Sequence, residues 1–478
     1  MSEDYPLMIV DKDATEKHAV VSPFDGSNIG KVGVANADAV EHALSVADGL
    51  YRDRANWIPG AERIRVLEKA AAIMQERFEY LAVEAAREGG KPLVDSRVEV
   101  TRAIDGVKNC AELLRNEPGR EVPMGINAAS EHHLAFTRRE PIGVVVAVSA
   151  FNHPLNLIVH QVGPAIAAGC PVIVKPAEDT PLSCMRFVSI LREAGLPEAW
   201  CQACVTEDHT VAEKLVTDER VGFFSFIGSA RVGWMLRAKL APGTRCALEH
   251  GGSAPVILAA DADLDENLPM IAKAGFYHAG QVCVSVQRVY APADLSEEVA
   301  QRLAELGNDM LVDDPVLEET DIGPLIRPRE VTRVDEWVQQ AVSDGAELLS
   351  GGKPVSDTCY PATVLLDPPD TTTISCNEVF GPVICVYSYE DIDEAIRRAN
   401  SLPYAFQAAV YTSNIDTALH VYRHLNASAV MINDHTAFRV DWMPFAGLKQ
   451  SGHGVGGIRY SYEDMTIEKM AVIRSKAI

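Results

Sequence analysis

The chain has 478 residues, room for about three structural units at roughly 150 residues each, so core burial is not limiting. Hydrophobic residues make up 47% and charged residues 23%, a balance that excludes disordered and fibrous classes. The formal net charge of −24, from 43 basic and 67 acidic residues, leaves no large basic face and argues against nucleic acid as a partner.

The first ten residues carry Glu3 and Asp4 and no sustained apolar run, so they do not read as a secretory signal. No stretch reaches the roughly 20 uninterrupted apolar residues of a membrane helix, and no membrane association is expected. Periodicity predicts helices over 37–49 and 61–88, whereas the polar stretch 131–139 reads as an extended arm. From 142 onward, apolar runs of strand length alternate with longer amphipathic stretches: strand 142–150, helix 154–168, strand 171–174, helix 181–194, strand 200–205, strand 221–227, helix 230–240 and strand 245–249. Thr180 is the expected cap of the 181–194 helix, with Pro181 in its first turn. Gly251-Gly252 breaks the rhythm. A second run follows, with strand 254–259, helix 264–279, strand 286–291 and helix 296–306. The pattern predicts two doubly wound, Rossmann-like α/β domains meeting near residue 250. No internal repeat or long low-complexity linker interrupts them.

Ten cysteines scattered over a chain of this length lack the density of a disulfide scaffold and fit a reducing compartment, so a cytoplasmic location is expected. Cys201 and Cys204 form a CxxC, but no second ligand pair stands at zinc-finger spacing; beside Trp200 and Val205 they read as a buried strand, and no metal site is expected.

In Gly280-Gln281-Val282-Cys283 a cysteine follows a helix end and a small-residue turn that can expose its sulfur, and a thiolate there can attack an electrophilic carbon. Free cysteines are more often buried and inert. Two further segments change the weight. Glu249-His250-Gly251-Gly252 sets a carboxylate at one strand end, and Ala150-Phe151-Asn152-His153-Pro154 sets an amide at another. Strand ends of open α/β sheets are where ligand crevices form.

These segments resemble the NAD(P)-dependent aldehyde dehydrogenase superfamily. The resemblance runs over 21–470 on seven motifs in the family's order: Phe151-Asn152-His153-Pro154, Lys175-Pro176-Ala177-Glu178, Phe226-Ile227-Gly228-Ser229, Glu249-His250-Gly251-Gly252, Gly280-Gln281-Val282-Cys283, Glu378-Val379-Phe380-Gly381-Pro382 and Pro444-Phe445-Ala446-Gly447. His250 stands where the family usually has leucine, Ala446 where it often has glycine, and Asn377 where a second glutamate often precedes Glu378. The resemblance implies the aldehyde dehydrogenase fold, two Rossmann-like α/β domains plus a small β oligomerisation arm. Segments 1–119 and 143–250 would form the dinucleotide-binding domain and 251–434 the catalytic domain. Segments 120–142 and 455–478 would form the arm and C-terminal strand, and 435–454 the substrate-tunnel and anchor loop. A homodimer or homotetramer is implied, with 131–139 and 465–473 pairing subunits.

The chemistry the resemblance implies starts with attack of the Cys283 thiolate on a small aldehyde, giving a thiohemiacetal whose oxyanion is met by the Asn152 side-chain amide and the Cys283 backbone N–H. Hydride transfer leaves a thioester, and Glu249 is the implied general base for the water that cleaves it. Relatives that pass the acyl group to coenzyme A or reduce acyl phosphates commonly lack this glutamate, so its presence favours the free acid. Two alternatives stand beside this reading: a dinucleotide-binding protein of the same fold that has lost turnover, and a CoA-acylating semialdehyde dehydrogenase.

For the coenzyme, Gly228-Ser229 at a strand-to-helix turn replaces a GxGxxG motif and lets a pyrophosphate approach a helix N-terminus. By the resemblance Lys175 and Glu178 hold the adenine ribose, and Glu378, with Phe380 beside it, the nicotinamide ribose. NAD is the expected coenzyme because Glu178 repels a 2′-phosphate; Lys175 offsets part of that, so NADP is admitted too. The implied pocket favours a short polar or anionic aldehyde. His160 lies two helical turns beyond Asn152, and Arg439 lies six residues before Phe445 on the loop that closes the tunnel. This end of the chain looks most like the lactaldehyde, non-phosphorylating glyceraldehyde-3-phosphate and phosphonoacetaldehyde dehydrogenase branch, although Val282 departs from the arginine that phosphonoacetaldehyde enzymes can carry. In the competing reading Arg439 pairs with Asp441 or a neighbouring subunit and His160 is a satisfied core histidine.

Overall fold

Val144–Val148, Val172–Lys175 and Val221–Ile227 are apolar along nearly their whole length and buried on both faces, as parallel strands between two helical layers must be. In a computed structural model that describes residues 3–116 and 119–478, they are central to a six-stranded sheet. Its spatial order is Gly452–His453, Arg245–Glu249, Val221–Ile227, Val144–Val148, Val172–Lys175, Cys201–Ala203, parallel except for the first pair. A seven-stranded sheet follows the order Glu347–Ser350, Thr363–Leu366, Val383–Tyr389, Val286–Pro292, Ala254–Leu258, Gln407–Tyr411, Ala429–Ile432, again parallel except for its first pair. Each sheet has its own buried core. The two-sheet α/β class with a small β arm is therefore the observed fold. Residues 1, 2, 117 and 118 of the first expected domain lie outside the described residues.

The arm is a three-stranded antiparallel sheet in which His133–Pro141 pairs with Thr466–Arg474 on one side and Glu121–Val122 on the other. It leaves Phe136, Met470, Val472 and Ile473 exposed. Among the described residues no helix is long and apolar enough to cross a membrane.

Several local expectations change. The single helix over 61–88 is two, Gly60–Glu76 and Phe78–Gly89, because the Arg77 backbone (φ −103°, ψ 20°) leaves the helical region although the apolar periodicity runs on. The 24-residue helix Leu93–Asn116 was not expected, because its buried face includes Ser96 and Glu99 and blurs the apolar stripe. The 181–194 helix is Leu182–Ala194, and Thr180 does not cap it. The Thr180 hydroxyl donates to the Phe151 carbonyl at 3.4 Å, while the first N–H groups, of Leu182 and Ser183, are taken by the buried Glu88 carboxylate. The 200–205 strand divides: Cys201–Ala203 joins the six-stranded sheet, and Val205–Thr206 pairs with Asn28–Ala35 in another. Cys201 and Cys204 are fully buried, and burial pushes both thiols up to about 12.

Candidate active site

Parallel strands end at the same sheet edge, so the six-stranded sheet delivers several loops to one crevice. Glu249 ends strand Arg245–Glu249, Gly228-Ser229 follows Val221–Ile227, and the loop holding Asn152 follows Val144–Val148. The other sheet delivers Cys283. The expected helix to 279 ends at Phe276, and the chain then turns through left-handed His278 (φ 50°), Ala279 (φ 53°) and Gly280 (φ 67°). A Cβ on Gly280 would collide with the Gly381 carbonyl. Left-handed backbone at two non-glycine residues is strained and persists only where surroundings over-determine it.

Asn152, Gly228, Ser229, Glu249, Cys283, Glu378, Phe380 and Phe445 all line one cleft of about 820 Å³ between the two sheets. Lys175, Glu178, His160 and Arg439 are not among its lining residues. Lys175 is buried with Nζ 3.4 Å from Glu178 Oε1. Glu178 lines an adjoining cavity of about 300 Å³ that shares Asp179 and Arg327 with the cleft.

Two carboxylates and the thiol face each other in this cleft, and burial dominates all three. Cys283 is pushed up to about 12 by burial and by the charges of Glu378 and Glu249, against the pull of Arg439. Glu249 is pushed up to about 7 by burial, with Arg439 opposing. Gly456 makes room for its carboxylate, which a Cβ there would strike. Glu378 is pushed up to about 8 by burial, opposed by the Gly252 N–H, which donates to Oε1 at 3.1 Å, and by Arg333. A Cβ on Gly251 would occupy the space of the Glu378 carboxylate. A carboxyl group with its midpoint near neutrality can both take and release a proton.

The Asn152 side chain donates one N–H to the Gln281 carbonyl at 2.9 Å; a primary amide has a second. Gln281 is itself fixed, its Oε1 accepting from Ile326 N–H and its Nε2 donating to Pro324. Gly228 donates its N–H to the Glu249 carbonyl at 3.0 Å. Ser229 precedes helix Ala230–Arg237 without a side-chain cap bond, so the helix N-terminus is not satisfied by its own serine. Phe380 has φ 47° and meets Phe151 edge-on at 5.9 Å.

The substrate-side residues separate. His160 is buried with Nε2 2.6 Å from Asp441 Oδ1. Asp441 also accepts from Arg102 at 2.8 and 3.2 Å and from the Asn156 amide at 3.3 Å. Against burial, the His160 hydrogen bond and the Arg102 charge hold Asp441 well below the usual carboxylate range. Arg439 is not a hydrogen-bond partner of Asp441. Its guanidinium carbon lies 3.8 Å from the centre of the Phe445 ring, and among the described residues its Nη1 is buried without a partner. Burial lowers it to about 10, Glu249 opposing.

Residues that the sequence reading passed over also shape the site. Arg102 and Lys91 belong to the unexpected 93–116 helix and its lead-in; Gly90 and Pro92 around Lys91 are the turn signal that marks it. Arg333 and Trp337, four apart on helix Pro328–Ser343, line the cleft with the guanidinium 4.7 Å from the indole centre.

The family model for aldehyde dehydrogenases matches residues 9–471. A 3-sulfolactaldehyde dehydrogenase of Priestia megaterium is 37% identical over 458 residues, covering 96% of this chain and 95% of that protein. An aldehyde dehydrogenase from Physcomitrella patens, solved in complex with the reaction product succinate, superposes with a TM-score of 0.94 at 33% identity over 99% of both chains. A glyceraldehyde-3-phosphate dehydrogenase from Methanocaldococcus jannaschii, complexed with NADP, gives 0.91 at 32% identity over 96% of this chain and 99% of that one.

Proposed function

The chain belongs to the aldehyde dehydrogenase family, and from that premise we propose that it oxidises a short polar or anionic aldehyde to the free carboxylic acid with a nicotinamide coenzyme. The carrying observation is that Cys283, Glu249 and Asn152 line one cleft. The Cys283 sulfur gives its proton to solvent and, as the thiolate, forms a bond to the aldehyde carbon while the carbonyl double bond opens onto oxygen, and the second N–H of Asn152 and the Cys283 backbone N–H receive that oxyanion. A bound nicotinamide would supply the acceptor for the hydride on that carbon, whose departure as the C–O bond becomes a carbonyl leaves a thioester on Cys283. Glu249 then takes a proton from water as the water oxygen bonds to the thioester carbon, and the carbon–sulfur bond breaks to release acid and thiolate.

The donor set suits a dinucleotide. Lys175 and Glu178 would hold the adenine ribose, the uncapped helix after Gly228-Ser229 would meet the pyrophosphate, and Glu378 with Phe380 would hold the nicotinamide ribose. NAD is the preferred coenzyme in this reading and NADP the second. We assign 1–119 with 143–250 to coenzyme binding and 251–434 to catalysis, with 435–454 as the tunnel loop.

The anionic side of the substrate preference rests on Arg439, a buried guanidinium with an unpartnered Nη1. The 3-sulfolactaldehyde and glyceraldehyde-3-phosphate dehydrogenase relatives, and the succinate product held by the Physcomitrella enzyme, all carry anionic groups and support it. Retention of Glu249 favours hydrolysis over transfer to coenzyme A. Homodimers or homotetramers joined through the arm are supported by its exposed Phe136, Met470, Val472 and Ile473, and a cytoplasmic setting by ten free cysteines. Cys283→Ala tests the central assignment: NADH formation from lactaldehyde, succinate semialdehyde and glyceraldehyde 3-phosphate should vanish while NAD binding persists, and residual turnover at the wild-type rate would remove the nucleophile.

A further inference from the structure

Beneath the loop that carries Asn152 lies a buried ion pair that this chemistry does not use. Lys91 and Glu99 have side chains 1% exposed. The main chain at Lys91 is pinned. Gly90 before it is left-handed at φ 76° and lies tight against Pro324, and the Lys91 carbonyl accepts from the buried Ser96 hydroxyl at 3.1 Å.

From that anchored position the ammonium reaches three acceptors: the Glu99 carboxylate, His153 Nδ1 at 2.9 Å and the Asn152 main-chain oxygen at 3.4 Å. The other Glu99 oxygen accepts the N–H groups of Leu155 and Asn156, each at 2.9 Å, at the start of helix Asn156–Ala168. One ion pair thus grips the 152–156 segment at both ends, and residues 151–155 belong to no helix or strand of their own. His153 can accept from an ammonium only as a neutral imidazole. Burial, together with the Lys91 charge, keeps it so.

A buried ion pair is costly to desolvate and stabilises less than apolar side chains of similar volume, so stability alone does not explain why this volume holds charge. Fixing one direction of the Asn152 amide does. We infer that Lys91 is a positioning residue: through the Asn152 carbonyl and His153 it fixes the main chain from which the Asn152 side chain reaches the cleft, while Gln281 holds one amide proton and leaves the other aimed at the reacting oxygen. The inference rests on the oxyanion role proposed for Asn152.

Lys91→Met alone would strand the Glu99 charge, so the test variant is Lys91→Met with Glu99→Gln, in which both charges leave and an acceptor for Leu155 and Asn156 remains. First-turnover NADH formation, with the best substrate among lactaldehyde, succinate semialdehyde and glyceraldehyde 3-phosphate, is compared in this variant, in Asn152→Ala and in their combination. The uncharged pair should lower the first-turnover rate about 10- to 100-fold, the scale of a misplaced catalytic group. Aldehyde KM and NAD binding should stay within about twofold, and the combination should be no slower than Asn152→Ala alone. A folded uncharged pair with an unchanged first turnover, or losses that multiply in the combination, would overturn the inference. An unchanged rate in Asn152→Ala would instead remove the Asn152 assignment and this inference with it. Should the uncharged pair fail to fold, Lys91→Arg keeps the charge but replaces a compact ammonium by a planar fork. The same non-additivity with Asn152→Ala is then required, and its absence overturns the positioning role.

Discussion

His160 Nε2 lies 2.6 Å from Asp441 Oδ1. With Arg102 on the same carboxylate, Asp441 is saturated from below, and Arg439, two residues away in sequence, stacks on Phe445 with a buried donor unpaired. The two residues that sequence reading sets together in the substrate pocket therefore have different surroundings: His160 is bonded to Asp441, and Arg439 keeps an unpartnered buried Nη1, which the proposed function assigns to an anionic substrate group.

Arg439→Gln should lower kcat/KM for succinate semialdehyde and glyceraldehyde 3-phosphate by about 10- to 100-fold, the worth of a hydrogen bond to a charged group at roughly 1.5–3 kcal/mol. It should change the values for uncharged lactaldehyde much less. Equal losses on charged and uncharged aldehydes would show that Arg439 serves packing on Phe445 instead.

Glu249→Gln should keep a first-turnover burst of NADH and lose the steady-state rate about 10²- to 10⁴-fold, because its role falls after hydride transfer. In the wild type the steady-state rate should rise with pH around a midpoint near 7, the position to which burial raises Glu249, since only the carboxylate can accept the water proton. The midpoint should be missing in the glutamine variant. A missing burst would place Glu249 in the acylation half instead.

Glu378 offers a stability test of the same burial. Its folded value of about 8 stands above the ordinary 4.5, so the folded protein binds the proton more tightly than the unfolded chain. That contribution is fully present below about 4.5 and is lost as pH rises through about 8. Glu378→Gln removes the cost of charging the buried group, so its Tm relative to wild type should climb between about pH 5 and pH 8.5 in the coenzyme-free protein. A constant Tm difference across that range would mean the carboxylate is not desolvated.

The proposed coenzyme preference places Glu178 at the adenine ribose, its Oε1 3.4 Å from Lys175 Nζ. Glu178→Gln removes the charge that repels a 2′-phosphate and leaves the lysine, so the ratio of kcat/KM for NADP over NAD should rise about tenfold, near 1.4 kcal/mol. A ratio that stays put, or comparable wild-type constants for the two coenzymes, would mean that Glu178 does not set the preference.

What the sequence determined by itself is local. Apolar runs such as Val144–Val148 and Val221–Ile227 announce buried parallel strands, and Gly228-Ser229 and Gly251-Gly252 mark where those strands end. Glu249 and Asn152 stand at or just past such ends, and a parallel sheet carries its strand ends to one edge whatever the loops between them do; Cys283 arrives from a helix end and turn of the other domain. Tertiary structure alone decided the supports. Glu88 caps a helix 94 residues away, Lys91 grips Asn152 across 61 residues, and Arg102 reaches Asp441 across 339. Arg77, where one predicted helix becomes two, pairs with Glu193, 116 residues on. A buried charge looks in sequence like a solvated one, because its partner is chosen by chain packing and not by spacing along the chain. The periodicity that reveals a strand therefore cannot reveal which carboxylate satisfies a distant helix end, or which of Arg439 and Asp441 keeps an unpartnered buried polar atom.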